Sequence, residues 1–181
     1  MKPRLKGVTP AIALVNPKYP HNVGAVVRAA SCWGASQVIW TGHRVPHPTD
    51  SGIDFRLPRE ERMRGYRDVE MVKEEYFFDI FDKDVVPVAV EVRPQSENLM
   101  DFVHPEKALY VFGPEDGGLQ RVHLQLCHRF ITIPTAHCLN LSAAVNIVLF
   151  HRMQQLYNEG HYAGLTANEM LVENRGLIAN C

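Results

Sequence analysis

Three stretches of this sequence combine residue types that could hold a ligand. In the first, 16–28, Asn22 is followed six residues later by Arg28, whose planar guanidinium can grip a phosphate with two parallel hydrogen bonds. Read locally, Asn22 suits a helix N-cap, and Arg28 falls on the flank opposite Val26 and Val27 as a surface arginine. In the second, Phe112-Gly113-Pro114-Glu115-Asp116-Gly117-Gly118-Leu119, three glycines in six residues let the backbone approach a ligand closely. A plain turn is the competing reading. In the third, Ile133-Pro134-Thr135-Ala136-His137-Cys138-Leu139-Asn140-Leu141-Ser142, exposed N–H groups at a helix start would suit a carboxylate or phosphate. Asn140 or Ser142 could equally serve only to cap that helix.

What must position these stretches is legible in the apolar pattern. Five short runs rich in β-branched and apolar residues read as strands: 11–15, 37–41, 86–92, 109–112 and 130–133. Helical spacing appears at 22–32, ended by Gly34, at 119–127, and at 141–157, where Val145, Leu149, Met153 and Leu156 form a core stripe. A polar helix is expected at 59–66, an amphipathic one at 74–82, and a short last helix from the Thr166-Ala167-Asn168-Glu169 capping pattern. The proline-bearing stretch 43–58 reads as surface loop. Strand, helix, strand in about thirty residues is a βαβ unit. The expectation is a single α/β domain over 1–181, with a mostly parallel sheet, helices on both faces and ligands at the carboxyl ends of the strands.

Composition narrows the chemistry. With 46% hydrophobic and 22% charged residues, the 181-residue chain has an ordinary globular composition. The N-terminal stretch lacks the apolar run of a secretory signal, and no run is long enough to span a bilayer, so a cytoplasmic protein without membrane contact is expected. The four cysteines form no CxxC pair and are expected as free thiols. Cys127-His128 and His137-Cys138 are adjacent pairs whose side chains would diverge on a strand, and no metal is expected. Net charge is −1, which gives no overall case for nucleic acid. The distribution is uneven, with Lys2, Arg4 and Lys6 in one arm and Arg56, Arg59, Arg62, Arg64 and Arg67 in another, followed by an acidic stretch. On charge alone this is a solvated surface. The GxGxxG fingerprint and the P-loop are both absent, which disfavours a dinucleotide dehydrogenase or an NTPase.

In order and spacing, the three stretches resemble the motifs of the SpoU branch of the SPOUT RNA methyltransferases. The motifs are Asn22-Val-Gly-Ala-Val-Val-Arg28, Val111-Phe-Gly-Pro-Glu-Asp-Gly-Gly-Leu119, and Ile133-Pro134 with Cys138-Leu-Asn-Leu-Ser142-Ala-Ala-Val. The likeness covers nearly the whole chain and matches the short members that lack an extra RNA-binding domain. It implies a deep trefoil knot over about 109–157, which general topological rules would never suggest. It also implies S-adenosylmethionine as cofactor, held near Gly113, Ile133, Cys138 and Leu139 with Glu91 close by. A homodimer through the first helix and the long C-terminal one is implied as well. Cys138 departs from the family's usual serine, so a hydroxyl hydrogen bond would become a weak thiol one.

The activity implied is methylation of a ribose 2′-hydroxyl in RNA, in tRNA at the wobble position or elsewhere, or else in rRNA. A non-catalytic RNA-binding protein on the same fold, or a base methyltransferase, are the alternatives. Arg28 is assigned to the phosphate beside the target ribose rather than to proton abstraction, because a guanidinium with a pKa above about 12 is a poor base. Asn22 and Asn140 would position Arg28 or the ribose, and Glu115 would orient the arginine or a base. On a dimer, Lys2, Arg4, Arg56, Arg59 and Arg62 would join Arg28 on an RNA-binding face whose affinity falls steeply with salt.

Overall fold

The computed structural model describes residues 10–47 and 69–164. Seven strands form one sheet: β1 (Ala11–Leu14), β2 (Gln37–Trp40), β3 (Glu70–Lys73), β4 (Val86–Val90), β5 (Glu97–Asn98), β6 (Ala108–Phe112) and β7 (Arg129–Thr132). Their order is β3-β2-β1-β6-β4-β7-β5, and every neighbouring pair is parallel. All strand carboxyl ends therefore share one rim. The chain runs outward in one direction from β1 to β3 and in the other through β4, so the crevice of an open α/β sheet falls at the carboxyl ends of β1 and β6.

Alternation along the strands sorts the core onto two faces. Ile12, Leu14, Val38, Trp40, Val88, Tyr110 and Phe112 pack with α1 (Pro20–Trp33) and α3 (Leu141–Asn158), while Ala11, Ala13, Ile39, Ala89, Leu109 and Val111 pack against Phe77, Leu119 and Cys127. Helix α1 buries Val23, Val26, Val27 and Ala30 and ends at Gly34, whose φ of +79° is the left-handed cap the sequence suggested. Among the described residues no helix is long and apolar enough to cross a membrane.

Three expectations need correction. The stretch 74–82 holds one 3₁₀ turn, Phe77–Ile80, in which Phe77 alone is buried, so its apolar residues plug the sheet without needing a helical stripe. The helix expected at 119–127 is reduced to α2 (Arg121–Leu124), which buries no residue and runs into turns closed at Leu126 and Cys127. Strands β3 and β5 were not expected. Both are edge strands whose backbone pairing, rather than an apolar run, holds them in place. The segments 59–66 and 166–169, for which helices were expected, lie outside the described residues.

Candidate active site

The loops after β1, β6 and β7 meet at the rim, and a chain of side-chain hydrogen bonds joins them. Asn22 is not the N-cap of α1. The helix starts earlier because Pro20 presets its first turn, and Tyr19 takes the cap position without a side-chain cap bond. Asn22 is instead buried, 2% exposed, and its carboxamide faces the neighbouring loops. Its Nδ2 donates to Glu115 Oε1 at 2.6 Å, and its Oδ1 accepts from Asn140 Nδ2 at 3.0 Å. The other Glu115 oxygen accepts the backbone N–H of Lys18 at 2.8 Å, which places its negative charge beside the first turn of α1.

Asn140 does two jobs with one carboxamide. Its Oδ1 caps α3, accepting from the N–H of Ser142 at 2.9 Å and of Ala143 at 3.4 Å. Ser142 donates its hydroxyl to the same oxygen at 2.7 Å, so the serine supports the cap and is not the cap itself. Glu115 spends one oxygen on the Asn22 carboxamide and the other on the Lys18 N–H, so it ties the first loop to the second. Arg28 is exposed on α1, about 9 Å along the axis from Asn22 and about 1.7 turns round.

Beside this chain lies a cradle built from glycines. A Cβ on Gly113 would fall 2.5 Å from the Gly118 carbonyl carbon, so the loop closes on itself only because position 113 has no side chain. Gly118 has φ +66°, and a Cβ there would meet Glu91 Oε2 at 2.9 Å. That same Glu91 oxygen accepts the Leu119 N–H at 2.7 Å, pinning the loop's far end to the end of β4. Across the crevice, Pro134 to Leu139 are exposed and make no backbone–backbone hydrogen bond. The Thr135 hydroxyl donates to the His137 carbonyl at 2.8 Å, and the backbone groups around it, those of Cys138 and Leu139 included, face outward, which suits a cofactor read through the main chain. Cys138 is an exposed free thiol on this segment.

Several residues at the rim had drawn no role from the sequence. Asn16 sits at φ +44°, a left-handed conformation that asparagine tolerates, and its N–H donates to Thr41 Oγ1 at 3.0 Å. Gly42, at φ +80°, leaves room for the Asn16 carboxamide. Asp116 binds Arg44 at 2.8 Å and Lys18 at 3.5 Å. Arg44 chiefly, with Lys18 adding, holds the Asp116 carboxyl below its usual pKa. The only local signal for these roles is the turn chemistry of Asn16-Pro17 and Gly42. Of the expected cation sites, Lys2, Arg4, Arg56, Arg59 and Arg62 lie outside the described residues.

Cys127 and His128 sit in different surroundings. Cys127 is buried, donates to the His123 carbonyl at 3.3 Å and has its thiol pushed up to about 12 by burial, whereas His128 is exposed. Among the described residues no group of three or more metal-ligating side chains is gathered.

The model of the SpoU rRNA Methylase family matches residues 10–150, which takes in the whole rim and both faces of the sheet. The chain belongs to the SpoU rRNA methylase family. Within it, the sequence is 28% identical over 160 residues to the tRNA (cytidine-2′-O-)-methyltransferase TrmJ of Methanocaldococcus jannaschii, covering 77% of this chain and 65% of that one. The chain spans 59–65% of the length of the curated relatives it matches. Among solved structures, the TrmH/SpoU tRNA modifying enzyme of A. aeolicus aligns with TM-score 0.72 at 20% identity, covering 93% of this chain and 86% of the other. An AdoMet-bound rRNA methyltransferase from Sinorhizobium meliloti aligns with TM-score 0.69 at 21% identity, covering 86% and 59%. These likenesses establish the SpoU fold.

Proposed function

We propose that this SpoU-family protein is an S-adenosylmethionine-dependent RNA methyltransferase that modifies a ribose 2′-hydroxyl, with tRNA as its substrate. The observation that carries this reading is the Glu115–Asn22–Asn140 chain beside the glycine-closed cradle, on a chain whose family model spans the same rim. The archaeal relative is named a tRNA 2′-O-methyltransferase, and a structural neighbour carries AdoMet.

The cradle suits the cofactor in character: Gly113 on one side, Ile133, Cys138 and Leu139 on the other, with Glu91 fixing the loop between. When bound, the cofactor supplies a sulfonium methyl carbon open to in-line displacement. The chain's own task is placement of a poor nucleophile, worth roughly 7–11 kcal/mol when the attack geometry is held. Arg28 takes the phosphate beside the target ribose in a forked hydrogen bond and leaves the 2′-hydroxyl facing the methyl donor. Asn22 is too buried to touch RNA. It is a positioning residue that locks the Glu115 and Asn140 loops together, while those two residues present their exposed edges to the substrate.

The same reading includes a homodimer and a trefoil knot over about 109–157. For the dimer, Ile147, Phe150 and Tyr157 stand exposed along α3, and Trp33 at the end of α1 packs edge-on to Phe150. For the knot, β7 inserts between β4 and β5, both earlier in sequence, before α3 returns to pack on α1. The same reading assigns Lys2, Arg4, Arg56, Arg59 and Arg62 to RNA contact, in a cytoplasmic enzyme.

The test is methylation of total RNA from a deletion strain with methyl-labelled cofactor, followed by nucleoside mapping. Label in a 2′-O-methylated tRNA nucleoside is expected. Label confined to rRNA would move the substrate, label on a base would move the acceptor atom, and no label would leave a binding protein.

A further inference from the structure

Outside the hydrogen-bonded chain, the mouth of the site carries an exposed pair of rings. Tyr19 and His21 stack with centroids 5.3 Å apart and planes inclined by 24°, and Tyr19 is 42% exposed although it is a large aromatic. Neither core packing nor helix capping accounts for the Tyr19 ring. It makes no cap bond, and the residue's contribution to α1 is made by its carbonyl, which accepts from the N–H of Asn22 at 3.0 Å and of Val23 at 3.4 Å. The backbone is thus fastened on both sides to the proposed catalytic groups, through Asn22 on one and through Lys18 N–H to Glu115 on the other. Charge surrounds the rings as well. Lys18 Nζ lies 5.3 Å from the Tyr19 ring centroid, and Asp116 draws Lys18 and Arg44 together beside it.

An exposed stacked pair flanked by a lysine and an arginine matches how proteins hold single-stranded RNA: an unstacked base on an aromatic face, with neighbouring phosphates on arginine or lysine. We propose that Tyr19 and His21 form a stacking platform for an RNA base adjoining the methylated nucleotide, with Lys18 and Arg44 on the flanking phosphates. The proposal rests on the RNA methyltransferase reading and names a substrate subsite within it. Because Tyr19 and Glu115 are tied through Lys18 and Asn22, a base seated on the platform is held in register with the Asn140 and Glu115 edges.

Two measurements test it. Binding of a single-stranded oligoribonucleotide carrying 2-aminopurine is followed by fluorescence, which stacking quenches. Turnover is followed as labelled methyl transferred to a tRNA transcript. Tyr19→Ala is expected to abolish most of the quench and to raise KM for RNA about tenfold, the loss of roughly one stacked base. The cofactor's Kd and kcat should stay within a few-fold, and Tyr19→Phe should restore both readouts. Wild-type quench and KM in Tyr19→Ala, or the absence of any quench with the wild-type protein, would overturn the platform while leaving the enzyme reading intact. A Tyr19-dependent quench from a protein that methylates no RNA would do the reverse: the platform would stand and the catalytic reading would fall.

Discussion

Asn22 and Asn140, 118 residues apart in sequence, are joined carboxamide to carboxamide at 3.0 Å, and each is committed at its other end, Asn22 to Glu115 and Asn140 to the N-terminus of α3. Removing the middle of that relay should be costly in two ways. Asn22→Ala leaves Glu115 and Asn140 without their shared partner in a part-buried setting, and the expected loss is about 1–3 kcal/mol of stability. Freed loops at the reacting edge should also lower kcat by up to about a hundredfold, as small misplacements do. Urea unfolding and single-turnover methylation check the two losses separately.

Gly113→Ala tests the cradle. The added Cβ would meet backbone at Gly118 rather than a flexible side chain. The loop must open, and cofactor affinity should fall at least about tenfold, with stability down by roughly 1–3 kcal/mol from overpacking. Calorimetric titration with S-adenosylmethionine reads the first, and a normal Kd would show that the loop tolerates reshaping.

Arg28→Ala is expected to abolish methylation while the cofactor's Kd stays within a few-fold. Near-normal turnover on the cognate RNA would remove Arg28 from the reaction.

Phe150→Glu places a charge on the exposed apolar strip of α3, 53% exposed in the monomer. Sedimentation should show a dimer Kd raised on the order of a hundredfold, as expected for an aromatic anchor. An unchanged dimer would place the interface elsewhere.

Acid should unfold the protein partly through His104. This buried residue contacts the Tyr110 hydroxyl at 2.5 Å through Nδ1 and His151 Nδ1 at 2.8 Å through Nε2. Burial chiefly, with His151, Arg152 and Arg129 adding repulsion, lowers its pKa to about 3, while burial raises Tyr110 to about 12. The folded state thus keeps His104 neutral where the unfolded chain would protonate it, near the usual histidine pKa of about 6.5. Its contribution is complete above that value and is lost as pH falls toward 3, at up to about 1.4 kcal/mol per pH unit. Asp84 and Asp116, both held low by basic partners, lose stability in the same direction. His104→Gln cannot titrate there, so its urea midpoints should fall less steeply with acid than those of the wild type. Parallel curves would contradict the assignment.

The five apolar strands, both long helices and the glycine stop at Gly34 were readable because burial on one face imposes its period on local sequence. So were the three loops, since Gly113, Gly118 and Asn140 are chosen for what their own backbone must do. What sequence could not supply were relationships made only by folding. The edge strands β3 and β5 owe their form to a neighbour's backbone. Asn22 looked like a cap because a local reading cannot see a partner 93 or 118 residues away. The parallel sheet decided those partners, by delivering the ends of β1, β6 and β7 to a single rim where a buried carboxamide had to find donors and acceptors from other loops or lose the hydrogen bonds water had given it.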